Sequence, residues 1–88
     1  MPLPILNSVD DVCAALRAAI VAALPDAQVE VTPNSPGHFE IKVVSSAFAD
    51  KSMVKKQQLV YGAIKELMAG DNAPVHAIDR LKTDAPSD

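Results

Sequence analysis

His38 and His76 are the two histidines of this 88-residue chain, and Cys13 is its single cysteine. A neutral imidazole or a thiolate can bind iron or zinc, and an imidazole can also exchange a proton near neutral pH. Each histidine stands near the start of a strand-like stretch. One reads Gly37-His38-Phe39-Glu40-Ile41-Lys42-Val43-Val44-Ser45, the other Val75-His76-Ala77-Ile78-Asp79-Arg80-Leu81. Residues 50–70 lie between them and read as a helix, so the unit is strand, helix, strand, with a right-handed crossover and parallel strands. Parallel strands begin at the same end of a sheet. Neighbouring strands lie about 4.8 Å apart, so imidazoles at matching positions could reach one metal or cluster between them. In the alternative, each histidine caps a strand end by hydrogen bonding to backbone. Parity adds a constraint: His76 alternates in step with Ile78, whereas His38 alternates against Phe39 and Ile41, so the two rings need not share a face.

Cys13 flanks an apolar helical stripe beside Val12 and reads as a buried small hydrophobe. With no second cysteine there is no internal disulfide, and the usage fits a reducing cytosol. Lys51, Lys55 and Lys56, followed by Gln57, make a basic patch at the front of the central helix. Such a patch is either a solvated face or a surface for an acidic partner. No Ser-His-Asp arrangement with supporting context, phosphate loop or nucleotide fingerprint occurs, so the sequence offers no catalytic constellation and is not expected to be an enzyme.

The central helix positions these groups. In residues 50–70, Met53 or Val54, Gln57, Val60, Tyr61, Ile64, Leu67 and Met68 recur at three- and four-residue steps, making one inward face. Lys55, Lys56, Leu59, Lys65 and Glu66 fall away from it. Ser52 is a candidate N-cap, and Gly70 with Asp71-Asn72 a left-handed stop. Tyr61 is expected to pack its ring in the core with its hydroxyl at an edge. Gly62 weakens the helix, and a close approach of another backbone would account for it.

An earlier helix is expected from a Ser8 cap to Pro25, with Val12, Leu16, Ile20, Ala23 and Leu24 inward. Residues 27–32 alternate as a half-buried strand, with Val29 and Val31 inward. Pro33-Asn34-Ser35-Pro36-Gly37 is a turn, so the following strand is its antiparallel partner. In that partner Phe39, Ile41 and Val43 face the core. Ser45-Ser46 can cap a short turn through Phe48. The order is α-β-β-α-α-β, an α+β domain with a three-stranded mixed sheet and strand order 1-2-3. Residues 1–8 are expected to be an extended N-terminal segment, 9–83 one domain, and 84–88 a flexible tail.

Several of these stretches resemble the BolA family. Gly37-His38-Phe39, Val43-Val44-Ser45, Phe48, Lys51, Val54-Lys55-Lys56-Gln57-Gln58, Val60-Tyr61 and Val75-His76-Ala77 fall in that family's order. The run Val54-Lys55-Lys56-Gln57-Gln58-Leu59-Val60-Tyr61-Gly62 is similar to its IbaG (YrbA) branch. The resemblance implies the BolA fold, with the topology of class II K-homology domains. It implies an adaptor that partners a monothiol glutaredoxin and co-ligates a [2Fe-2S] cluster, in iron–sulfur or iron homeostasis and stress response. The isolated protein would hold no cofactor and be a monomer or weak homodimer. His76, in the Val-His-Ala motif, matches the family's cluster ligand. Family members commonly place a second ligand, Cys or His, on a longer loop between the first two strands. Here residues 33–37 contain neither, and His38 is the candidate substitute. The alternative function implied is nucleic-acid binding and transcriptional regulation through Lys51, Lys55 and Lys56.

Charge and composition bear on that alternative. The formal net charge is −3, and aromatics are 3% of the chain, so base-stacking platforms are scarce. Residues 1–39 carry a net −3, residues 40–70 a net +2 and residues 71–88 a net −2. A Gly-x-x-Gly backbone clamp is missing. A weakly acidic chain with one basic patch is not built as a general nucleic-acid binder. The start, Met1-Pro2-Leu3-Pro4, lacks signal-peptide character, and the apolar run over residues 18–24 is too short to span a bilayer. A cytoplasmic protein without membrane association is expected.

Overall fold

The computed structural model describes residues 8–70 and 73–86. In chain order the elements are α1 (Val9–Ala23), β1 (Gln28–Ser35), β2 (His38–Val44), a 3-10 turn (Ser46–Phe48), α2 (Met53–Met68) and β3 (Ala77–Asp84). The sheet order is β1-β2-β3, with β1 antiparallel to β2 and β2 parallel to β3. This is the three-stranded mixed sheet that the periodicities predict.

Both helices start as their caps dictate. The Ser8 hydroxyl accepts from Asp11 N at 3.1 Å, and the Ser52 hydroxyl accepts from Lys55 N at 3.2 Å. From α1, Val12, Leu16 and Ile20 are buried, with Leu24 just beyond its end. They meet Phe39, Ile41 and Val43 of β2, Phe48, Val60 and Ile64 of α2, and Val75 in one core. The inward face of α2 is narrower than its periodicity suggests. Val60 and Ile64 are buried and Ala63, Leu67 and Met68 pack against the core, but Met53 and Val54 are 58% and 60% exposed. Tyr61 is 38% exposed and is not a core residue. Nor does another backbone approach Gly62, where an added Cβ would meet open space.

Strand limits also differ from expectation. β1 continues through Pro33 to Ser35, leaving a turn of only Pro36-Gly37. Proline is tolerated there because β1 is an edge strand whose outer side needs no donor. Gly37 takes φ +79°, the left-handed value that a Pro-Gly turn demands of its second residue. β3 runs over Ala77–Asp84 and not 75–81. Val75 is instead buried at the end of the helix crossover, its N–H donating to Leu67 O at 3.2 Å. Asp84, expected to begin the tail, is in the ladder and accepts from Ser45 N at 3.0 Å. The expected N-terminal extension over 1–7, the Asp71-Asn72 helix stop and residues 87–88 lie outside the described residues.

Candidate histidine site

Parallel pairing of β2 and β3 brings the two histidines to one end of the sheet. His38 opens β2 and pairs with Ala77, the residue after His76. His76 itself precedes the strand. Its N–H and that of Ala77 both donate to Gly37 O, at 2.8 and 3.0 Å, so the entry to β3 is pinned to the hairpin turn. The ring of His76 lies against Gly37, and the residue is exposed.

The setting of His38 comes from two irregularities in the ladders. Between β1 and β2, Pro33 pairs with Phe39 and Ser35 with His38, leaving Asn34 unpaired. Between β2 and β3, Phe39 pairs with Ile78 and Glu40 with Arg80, leaving Asp79 unpaired. Each is a one-residue bulge, which re-aims side chains. Strict alternation would turn Arg80 to the same face as Ile78. The bulge instead pairs Arg80 with Glu40, their charged groups 3.8 Å apart, and sets Leu81 opposite Ile41.

The two bulged residues meet at His38. Asp79 Oδ1 lies 2.9 Å from His38 Nδ1, and Asp79 Oδ2 accepts from Asn34 Nδ2 at 3.0 Å. The bond from His38, followed by that from Asn34, holds the Asp79 carboxyl below its ordinary pKa. An ionised carboxylate only accepts, so the facing imidazole nitrogen is the donor, and in the neutral ring that leaves the lone pair on Nε2. Asp79 and Asn34 carry no motif that marks them in the sequence. A trace was present: Ile78-Asp79-Arg80-Leu81 puts two polar residues between two apolar ones, which breaks the two-residue strand period.

The remaining candidates stand apart. Lys51 and Lys55 are exposed, while Lys56 and Gln57 are half-buried, all at the start of α2. No acidic residue occupies that first turn, and no ion pair among the described residues involves these lysines. Cys13 is half-buried against the core, and burial, then Asp10, raises its thiol pKa, which favours the unreactive thiol. A surface hollow of about 290 Å³ is lined by Asp26, Gln28, Val44 and Pro86 and lies at the opposite end of the sheet from the histidines. Among the described residues no set of three or more His, Cys, Asp or Glu side chains is arranged around a metal position, and no helix is long and apolar enough to cross a membrane.

Comparison with known proteins gives concordant matches. A family model described as BolA-like protein covers residues 20–88. BolA-like protein 1 of Pongo abelii is 35% identical over 81 residues, which cover 82% of this chain and 57% of that protein. An uncharacterised protein from the rpoN-murA intergenic region of Acinetobacter guillouiae is 35% identical over 63 residues, covering 72% of each chain. This bacterial relative is consistent with the branch suggested by the lysine–glutamine run. The solution structure of BolA1 from Mus musculus superposes with a TM-score of 0.69 at 29% identity, covering 98% of this chain and 72% of the other. The chain spans only about a third to three-fifths of the length of the mammalian curated relatives.

Proposed function

The chain belongs to the BolA family, and from that premise we propose that it is a non-catalytic adaptor that pairs with a monothiol glutaredoxin and shares a [2Fe-2S] cluster with it. His76 and His38 are the ligands on this side. One observation carries the reading: the fold gathers both histidines at one sheet end, His76 exposed and anchored on Gly37 and His38 engaged through Nδ1. Histidine pairs are a known ligand set for one iron of a [2Fe-2S] centre, so the donor chemistry fits. When bound, the cluster would supply transferable iron–sulfur cargo. The chain's own part is to present two imidazoles and a docking surface, in which Gln57 and the neighbouring lysines face an acidic partner. A lone, half-buried cysteine suits the reducing cytoplasm in which such an exchange takes place.

The test is co-expression with a monothiol glutaredoxin. A heterocomplex with a visible cluster spectrum distinct from that of the glutaredoxin alone is expected. Separate elution of the two proteins, with the cluster remaining on the glutaredoxin, would refute the proposal.

A second reading draws on the lysines at and just before the start of α2, which make no ion pair among the described residues: a nucleic-acid contact through Lys51, Lys55 and Lys56. It requires retardation of oligonucleotides at low salt, with a steep loss on adding salt of roughly one counterion per phosphate engaged. Lys55→Glu with Lys56→Glu should abolish the retardation and leave the glutaredoxin cluster spectrum intact. No retardation by the unsubstituted protein removes this reading.

A further inference from the structure

Asn34 and Asp79 belong to different strands, yet each is the residue extruded from its ladder and both reach the same imidazole neighbourhood. A bulge gives up regular pairing, and here two of them converge on His38. We infer that Asp79, steadied by Asn34, is a positioning residue for His38: it holds the ring as the Nδ1–H tautomer, so that Nε2 is the nitrogen offered to a metal. The inference deepens the shared-cluster reading and rests on it for what Nε2 binds.

The chemistry follows from the contacts. Asp79 Oδ1 is occupied by the imidazole and Oδ2 by the Asn34 amide, so the carboxylate is held at both oxygens. A carboxylate behind a metal-binding histidine fixes its tautomer, sets its ring orientation and raises its basicity. The cross-strand bridge also answers a puzzle in the sequence. Residues 33–37 contain no Cys or His, and the two-residue turn Pro36-Gly37 leaves no long loop to carry a second ligand. The bulges do this work from within the sheet, making the first residue of β2 a preset donor beside the exposed His76. Among the described residues, His76 has no side-chain partner comparable to Asp79, so it serves as an internal comparison.

The test uses the isolated, nitrogen-15-labelled chain, with long-range proton–nitrogen correlations of the imidazoles in mildly alkaline buffer. His38 is expected to show a protonated Nδ1 and an unprotonated Nε2, while His76 shows the ordinary mixture dominated by Nε2–H. Asp79→Ala should return His38 to that mixture, and Asn34→Ala should shift it part of the way. A His38 that is chiefly Nε2–H in the unsubstituted chain overturns the inference, so the result does not depend on a variant that folds. An unchanged His38 tautomer in a folded Asp79→Ala chain overturns it as well. The readout involves neither iron nor glutaredoxin. If the tautomer is as expected but His38→Ala and His76→Ala both leave the heterocomplex spectrum unaltered, the tautomer assignment is supported and the shared-cluster reading fails.

Discussion

The imidazole of His76 rests on the backbone of Gly37, where an added Cβ would collide with its Cδ2 and Cγ. Glycine is required here twice over, for its φ of +79° and for this contact. Gly37→Ala should therefore lose about 1–2 kcal/mol from the left-handed backbone alone, and it should also push the His76 ring out of place. Denaturant melts and the ring resonances of His76 report the two effects separately. Native stability with unshifted resonances would contradict the packing described.

Removal of the rings should separate folding from ligation. His76 is exposed and precedes β3, so His76→Ala should remain folded. It should change the visible spectrum of the glutaredoxin heterocomplex or send the cluster back to the glutaredoxin homodimer. His38→Ala should produce a matching change if both histidines are ligands. Full retention of spectrum and affinity in His76→Ala would dismiss the adaptor reading.

The core face of α2 is tested by a pair of truncations. Ile64 is 1% exposed and Tyr61 38%. Ile64→Ala should cost about 2–5 kcal/mol as a cavity-forming change, whereas Tyr61→Ala should cost clearly less. Equal shifts in denaturant midpoint would mean that Tyr61 packs as the periodicity alone suggests.

Asp26 ties the end of α1 to the turn before α2. Its carboxylate accepts from Ser45 Oγ at 2.7 Å, from Ser46 N at 2.8 Å and from Ser46 Oγ. The bonds from Ser46, then Ser45, lower its pKa to about 2, from an ordinary 3.8. A carboxyl whose pKa is lower folded than unfolded stabilises the fold above its unfolded value, and the stabilisation fades as the pH falls through the folded value. The stability gap between the unsubstituted chain and Asp26→Ala should thus be full above about pH 4 and close as the pH approaches 2. Urea midpoints over that range measure it, and a gap independent of pH would show that the ionised carboxylate is not what holds the turn.

Much of this molecule could be read from local pattern. The Ser8 and Ser52 caps, the 3.6-residue stripe through Leu16 and Ile20, and the alternation of Phe39, Ile41 and Val43 depend on neighbours in sequence, and each appears where that pattern places it. The parallel pairing of the two histidine strands followed from the crossover through α2, so their shared sheet end was also legible.

What tertiary structure alone decided lies in departures from period and in contacts between distant segments. Asn34 and Asp79 stand 45 residues apart and meet because each strand inserts one residue into its ladder. Strict alternation in either strand conceals that meeting, since a bulge changes which residues share a face beyond it. The clamp of Asp26 on Ser45 and Ser46 arises in the same way, between a helix end and a turn read as separate elements. Tyr61 shows the converse limit. The helical period allowed it an inward position, but which part of the helix is covered depends on the α1 and sheet residues packed against it, and these bury Val60 and Ile64 while Tyr61 stays at the surface.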